Sequence, residues 1–162
     1  MNRAALGAMT LAGLAGCGLF ERATTDYAPP GARGEKWSAV QAEEVREVHR
    51  LLALGDVETA RAWLARLRQR APDDLGLTFL HQDVEIAAGR EAQVREAARA
   101  LADAEPEPAH LLAAARVEDD PAAARAWIER ALELSPGDPW AHYALAHREA
   151  RNGSWVEAGR LL

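Results

Sequence analysis

Cys17 is the chain's only cysteine. A lone thiol can form neither an internal disulfide nor a thiolate metal site, so its position matters more than its number. The five histidines, His49, His81, His110, His142 and His147, do not cluster as metal ligands. His142 and His147 are five apart, a spacing poorly suited to one helical face. The sequence holds no Gly-rich phosphate loop, no His-Glu-x-x-His and no Gly-x-Ser-x-Gly. Acidic pairs such as Glu43-Glu44 and Asp119-Asp120 read as solvated helix faces and caps. The expectation is a non-enzyme that uses no metal and no cofactor. A different chemistry stands out near the end. Trp140, Tyr143, His147 and Arg151 fall at i, i+3, i+7 and i+11, which makes one helical stripe. Aromatic rings with a His and an Arg suit recognition of a partner; the same rings would also suit packing against a neighbouring helix.

Residues 1–16 open with Met-Asn-Arg and run on through Ala, Leu, Gly, Met and Thr, with Arg3 the only charge before Glu21. A positive start and a short apolar run have the form of a secretory signal. The run is shorter than the roughly 20 residues a transmembrane span needs. It closes on Leu14-Ala15-Gly16-Cys17, which resembles the lipobox of bacterial lipoproteins. That resemblance implies diacylglycerol on the Cys17 thiol, cleavage before Cys17 and acylation of the new amino terminus. Several acyl chains make a stable membrane anchor, because each CH₂ contributes about 0.8 kcal/mol. Gly18 stands where aspartate signals inner-membrane retention in enterobacterial lipoproteins. The implied location is the bacterial envelope, at the outer membrane facing the periplasm.

Residues 17–37 then form the lipidated terminus and a tether. Thr24, Thr25, Pro29, Pro30, Gly31 and Gly34 interrupt any regular element. Tyr27 and Trp37 are either recognition residues or, for Trp37, a ring packed on the first helix.

From residue 38 to 162 the pattern is helical. Ala supplies much of the 49% apolar content and strand formers are scarce, so the fold class is all-α. The formal charge is −6, and removing Arg3 leaves 18 basic against 25 acidic residues, or −7. Such a balance argues against nucleic acid as a partner. Lys36 is the only lysine. Gly55 recurs as Gly89 and Pro72 as Pro106, each 34 residues on, while Pro106 to Pro136 is 30. Ala60-Arg61-Ala62-Trp63-Leu64-Ala65-Arg66 returns as Ala124-Arg125-Ala126-Trp127-Ile128-Glu129-Arg130, 64 residues on. Ala131-Leu132-Glu133-Leu134-Ser135-Pro136 resembles the end of a tetratricopeptide unit, and the period of 34 is that of the same family.

The resemblance covers about three quarters of the chain. It implies an α-solenoid of antiparallel helix pairs, about three and a half repeats. The helices are expected at 38–53 with 57–70, 73–88 with 91–104, 107–118 with 121–134, and 138–152 with 155–162. Ser38-x-x-Gln41 and Ser154-x-x-Glu157 resemble capping boxes. Asp120-Pro121 and Asp138-Pro139 place a cap before a first-turn proline. Ala60, Ala124 and Ala158 take the small position where paired helices cross. Departures are Val94 at the small position, a third first-helix short by about one turn, and no glycine at its turn. Trp63 and Trp127 fall on second helices, where packing between repeats competes with ligand stacking as their role.

In this family the first helices line a groove that holds an extended or helical peptide. Mapped position by position, the groove takes Val45 and His49 from the first unit and Phe79, Asp83 and Ile86 from the second. The third gives Ala109, Ala113 and Arg116, and the fourth Trp140, Tyr143, His147 and Arg151. The Lys-Asn-Arg carboxylate clamp of the chaperone-binding class is absent. The expected function is a lipid-anchored scaffold that holds a protein or peptide in this groove, within an envelope assembly. The last helix stops before its turns are complete, and a solenoid end normally carries a polar capping helix. The alternative is therefore the N-terminal spacer or regulatory module of a larger envelope enzyme.

Overall fold

A computed structural model describes residues 39–161. The leader at 1–16, Cys17, the tether at 17–37 with Tyr27 and Trp37, Ser38 and Leu162 lie outside them. The described residues form eight helices: α1 Ala39–Ala53, α2 Val57–Arg70, α3 Leu75–Ala87, α4 Glu91–Ala104, α5 Pro108–Val117, α6 Pro121–Leu134, α7 Pro139–Arg151 and α8 Trp155–Leu161. Each packs on its neighbour in sequence, and α3 also packs on α5, and α5 on α7. The architecture is an all-α, solenoid-like stack of helix pairs. Among the described residues, no helix is long and apolar enough to cross a membrane.

The turns within pairs explain the spaced glycines. Gly55, Gly89 and Gly153 have φ of 77°, 77° and 83°, a region that L side chains enter only at a cost. Each ends its helix in the same way. The Gly55 amide donates to the Leu52 carbonyl at 3.0 Å and the Asp56 amide to the Leu51 carbonyl at 2.9 Å. Gly89 with Arg90 and Gly153 with Ser154 repeat this pair of bonds, so the last carbonyls of α1, α3 and α7 are satisfied. The third pair uses other means. Glu118 leaves α5 in an extended conformation, with φ −80° and ψ 126°. Its carboxylate accepts the Asp120 amide at 3.1 Å and two bonds from Arg99 at 2.7 and 2.6 Å. A buried carboxylate thus braces the turn that lacks glycine.

Aspartates start several of the helices. Asp56 accepts the Thr59 amide, Asp74 the Leu77 amide and Asp120 the Ala122 amide, at 3.2, 2.9 and 3.0 Å. Asp138 accepts two amides, of Trp140 and Ala141, at 2.8 and 3.1 Å. These bonds satisfy donors that a helix start leaves open. Because Asp74 caps α3, that helix begins at Leu75, two residues later than its periodicity suggests.

Two apolar clusters hold the stack. Val45, Val48, Leu51, Ala60, Leu64, Leu67, Leu77, Leu80 and Val84 join α1, α2 and α3. Leu75, Ala102, Leu111, Leu112, Ile128, Ala131, Ala141 and Leu145 belong to the second, which joins α3 to α7. α3 faces both clusters. α5 is the most enclosed helix, with Leu111 through Ala115 all buried, and its alanines let neighbours approach closely. Ala60, Ala124 and Ala158 are buried at the crossings of their pairs, and Val94 is half-buried at the equivalent place.

Ion pairs repeat with the fold. Arg61 of α2 meets Glu85 of α3 at 3.0 Å. Arg95 of α4 meets Asp119, which follows α5, at 2.7 Å. Arg125 of α6 meets Glu149 of α7 at 2.5 Å. Both partners advance by 34 and then by 30, so one cross-repeat joint is built three times at equivalent positions.

Candidate interaction surface

The face shared by α3, α5 and α7 begins with the register of α3. Leu77, Leu80 and Val84 turn into the first cluster, which leaves Phe79, Gln82 and Asp83 toward α5 and α7. The side chain of Asp83 accepts from Arg116 of α5 at 2.5 Å. Gln82 is buried; its amide nitrogen donates to the Ala113 carbonyl at 2.8 Å, and its carbonyl oxygen accepts from Arg116 at 3.2 Å. The Arg116 guanidinium also lies 5.3 Å from the Phe79 ring centre, within cation–π range. Phe79 in turn meets Trp140 of α7 edge to face, centres 5.6 Å apart and planes at 84°.

One turn further along α7, the Tyr143 and His147 rings stack at 6.3 Å with 29° between planes. Burial, then the charges of Arg151 and Arg148, hold His147 below the usual histidine range, so the ring is neutral at neutral pH. Burial pushes the Tyr143 phenol up. Arg148 turns away from this stack and donates to the Pro121 carbonyl at 3.1 Å. Arg151 is exposed.

The structure therefore brings Phe79, Asp83, Ala113, Arg116 and Trp140 together, with Tyr143 and His147 beside each other on the last of the three helices. Ala109 is half-buried and packs near the rings. Val45 and Ala113 are themselves buried; what they contribute is packing, and for Ala113 its carbonyl. His49 and Ile86 are half-buried on α1 and α3. Gln82 is the residue the periodic reading missed. A signal was present: Gln82 lies 34 residues before Arg116, the same repeat position, as a polar residue in the apolar run Leu77 to Val84.

The opposite side of the stack holds a shallow cleft of about 600 Å³, bordered by Arg99, Glu118, Trp127, Glu129, Arg130 and Glu133. Its rim mixes both signs of charge, and Glu118 is committed to Arg99. Trp127 is half-buried against the second cluster. Trp63 occupies the equivalent position against the first, with the Arg66 guanidinium 4.4 Å from its ring centre. Both rings pack between helices. Among the described residues, no cluster of three or more His, Cys, Asp or Glu side chains is placed to hold a metal ion.

No protein-family model, no curated protein and no solved structure matches the chain. The reading of function rests on the residues and their arrangement.

Proposed function

We propose that this chain is a lipid-anchored bacterial envelope protein whose tetratricopeptide-type solenoid holds a protein partner on the face of α3, α5 and α7. The observation that carries the reading is the joined set Phe79, Asp83, Arg116 and Trp140, continued by Tyr143 and His147, on consecutive first helices. Aromatic and Arg side chains fixed by their neighbours lose little entropy on binding, which suits a recognition surface. The repeat reading is supported by three equivalent ion pairs and three equivalent glycine turns. The anchor reading is supported by Leu14-Ala15-Gly16-Cys17 alone. On this reading the chain binds and positions a partner, performs no catalysis, and faces the periplasm from the outer membrane.

The test has two arms. Metabolic labelling with a radioactive fatty acid should mark the wild-type chain and leave Cys17→Ser unmarked; labelling of both forms would remove the anchor at Cys17. Crosslinking in cells should capture a partner that Tyr143→Ala/His147→Ala/Arg151→Ala loses while its melting transition is kept. Equal capture by both would move the binding surface elsewhere.

A second reading has its own observation. Trp155 and Val156 of α8 are 71% and 75% exposed, a surface that a further helix pair would cover. That favours a spacer within a larger envelope enzyme, and the coding sequence beyond Leu162 distinguishes the two.

A further inference from the structure

We infer that the α7 stripe of this face is the docking site of the chain's own tether, through residues 26–30, Asp26-Tyr27-Ala28-Pro29-Pro30. The inference rests on the reading of the face as a binding surface. The stripe offers a stacked Tyr143–His147 pair and, one turn on, the exposed Arg151. Among the described residues Arg151 forms no ion pair. A partner for this arrangement needs a carboxylate beside an aromatic ring. Asp26-Tyr27 supplies them in adjacent positions: Asp26 for Arg151, and Tyr27 for the neutral face of the ring stack.

Pro29 and Pro30 follow. Each fixes its own φ, and a proline pair favours the extended left-handed conformation that docks against aromatic surfaces. A segment limited in this way gives up less entropy on binding than a freely flexible one.

The chain length permits the contact. Tyr27 lies twelve residues before Ala39, the first residue of α1, and an extended chain covers about 40 Å over that distance. From α1 to α7 is three steps between stacked first helices, about 8–10 Å each. A tether that reaches the site meets it at an effective concentration on the order of millimolar. Even a weak contact is then substantially occupied, and an outside partner must compete with it. The tether would act as a built-in competitor, and the apparent affinity of the partner would fall by the occupied fraction.

The experiment uses the full mature chain with p-benzoylphenylalanine replacing Tyr27, and mass spectrometry to locate the crosslinks. The expected result is intramolecular crosslinks on α7 between Tyr143 and Arg151. They should fall by about fivefold or more with Arg151→Ala or with Asp26→Ala, the loss of roughly 1 kcal/mol of attraction. A synthetic peptide of residues 22–36, added at millimolar concentration, should reduce them as well. Crosslinks on α2, α4 or α6, crosslinks between chains, or yields indifferent to Arg151→Ala would overturn the inference. The failures separate cleanly. If these crosslinks miss α7 while the triple α7 variant still loses its partner in cells, the face stands as a binding surface and only the self-docking falls.

Discussion

Phe79 of α3 and Trp140 of α7 touch edge to face at 5.6 Å, although each of their helices packs on α5. The contact exists because α5 presents Ala109 and Ala113 on that side, too small to keep the two rings apart. The third repeat, shortened between Pro106 and Pro136, is therefore where the second and fourth repeats meet. If the rings are coupled, Phe79→Leu and Trp140→Leu should be non-additive. A double-mutant cycle by denaturant unfolding should return about 0.5–1.5 kcal/mol of coupling. Strict additivity would mean that the contact is incidental.

Gln82 pins α3 to α5 from inside. Gln82→Leu removes its bond to the Ala113 carbonyl and its contact with Arg116, while keeping the volume. The expected destabilisation is about 1–2 kcal/mol, read as a lower midpoint in thermal melts. A variant as stable as the parent would show that Arg116 is held by Asp83 and Phe79 alone.

The glycine turns allow a clean comparison. Gly55→Ala meets no atom within 4 Å, yet its φ is 77°, so the cost is purely conformational and should be about 1–2 kcal/mol. Gly137→Ala also meets nothing, and its φ lies outside the left-handed region. It should be neutral, or stabilising by about 0.4–1 kcal/mol through a stiffer unfolded chain. Equal melting shifts for the two would contradict the turn assignment.

His81 makes stability depend on pH. It is half-buried on α3; burial, then the charge of Arg68, hold it below the usual histidine range, with Glu85 opposing and Arg61 adding to the shift. The fold therefore prefers the neutral ring. Its contribution is complete above the unfolded value near 6.5, and is lost as pH falls from there toward the lowered folded value. His147 has the same sign. The denaturation midpoint should drop between neutral pH and pH 5, and His81→Gln should flatten part of that slope. An unchanged slope in the variant would place the pH dependence elsewhere.

The fold was largely legible because its repeats fall on residues with few alternatives. Gly55, Gly89 and Gly153 sit where φ must be positive, so their 34-residue spacing marks real turns. Arg61, Arg95 and Arg125 keep their acidic partners because each helix pair docks on the next in the same way. Second helices at 57–70, 91–104 and 121–134 end where the pattern ends, since apolar periodicity and turn chemistry agree there. Positions on the shared face were harder. A helix in a stack is covered on more than one side, so periodicity alone left Val45 as a groove residue, whereas it packs in the first cluster. Gln82 and Glu118 escaped for another reason. A buried polar residue is recognised by its partners, here the Ala113 carbonyl and Arg99, and neither pairing has a fixed sequence spacing.

The central claim is that the α3–α5–α7 face binds a protein partner. The most direct measurement is crosslinking in cells, with quantitative comparison of the wild-type chain and Tyr143→Ala/His147→Ala/Arg151→Ala at matched abundance and melting temperature. The account predicts one dominant crosslinked partner whose yield falls about tenfold or more in the variant, a loss of at least roughly 1.4 kcal/mol of binding. The same partner at the same yield from both chains would contradict it.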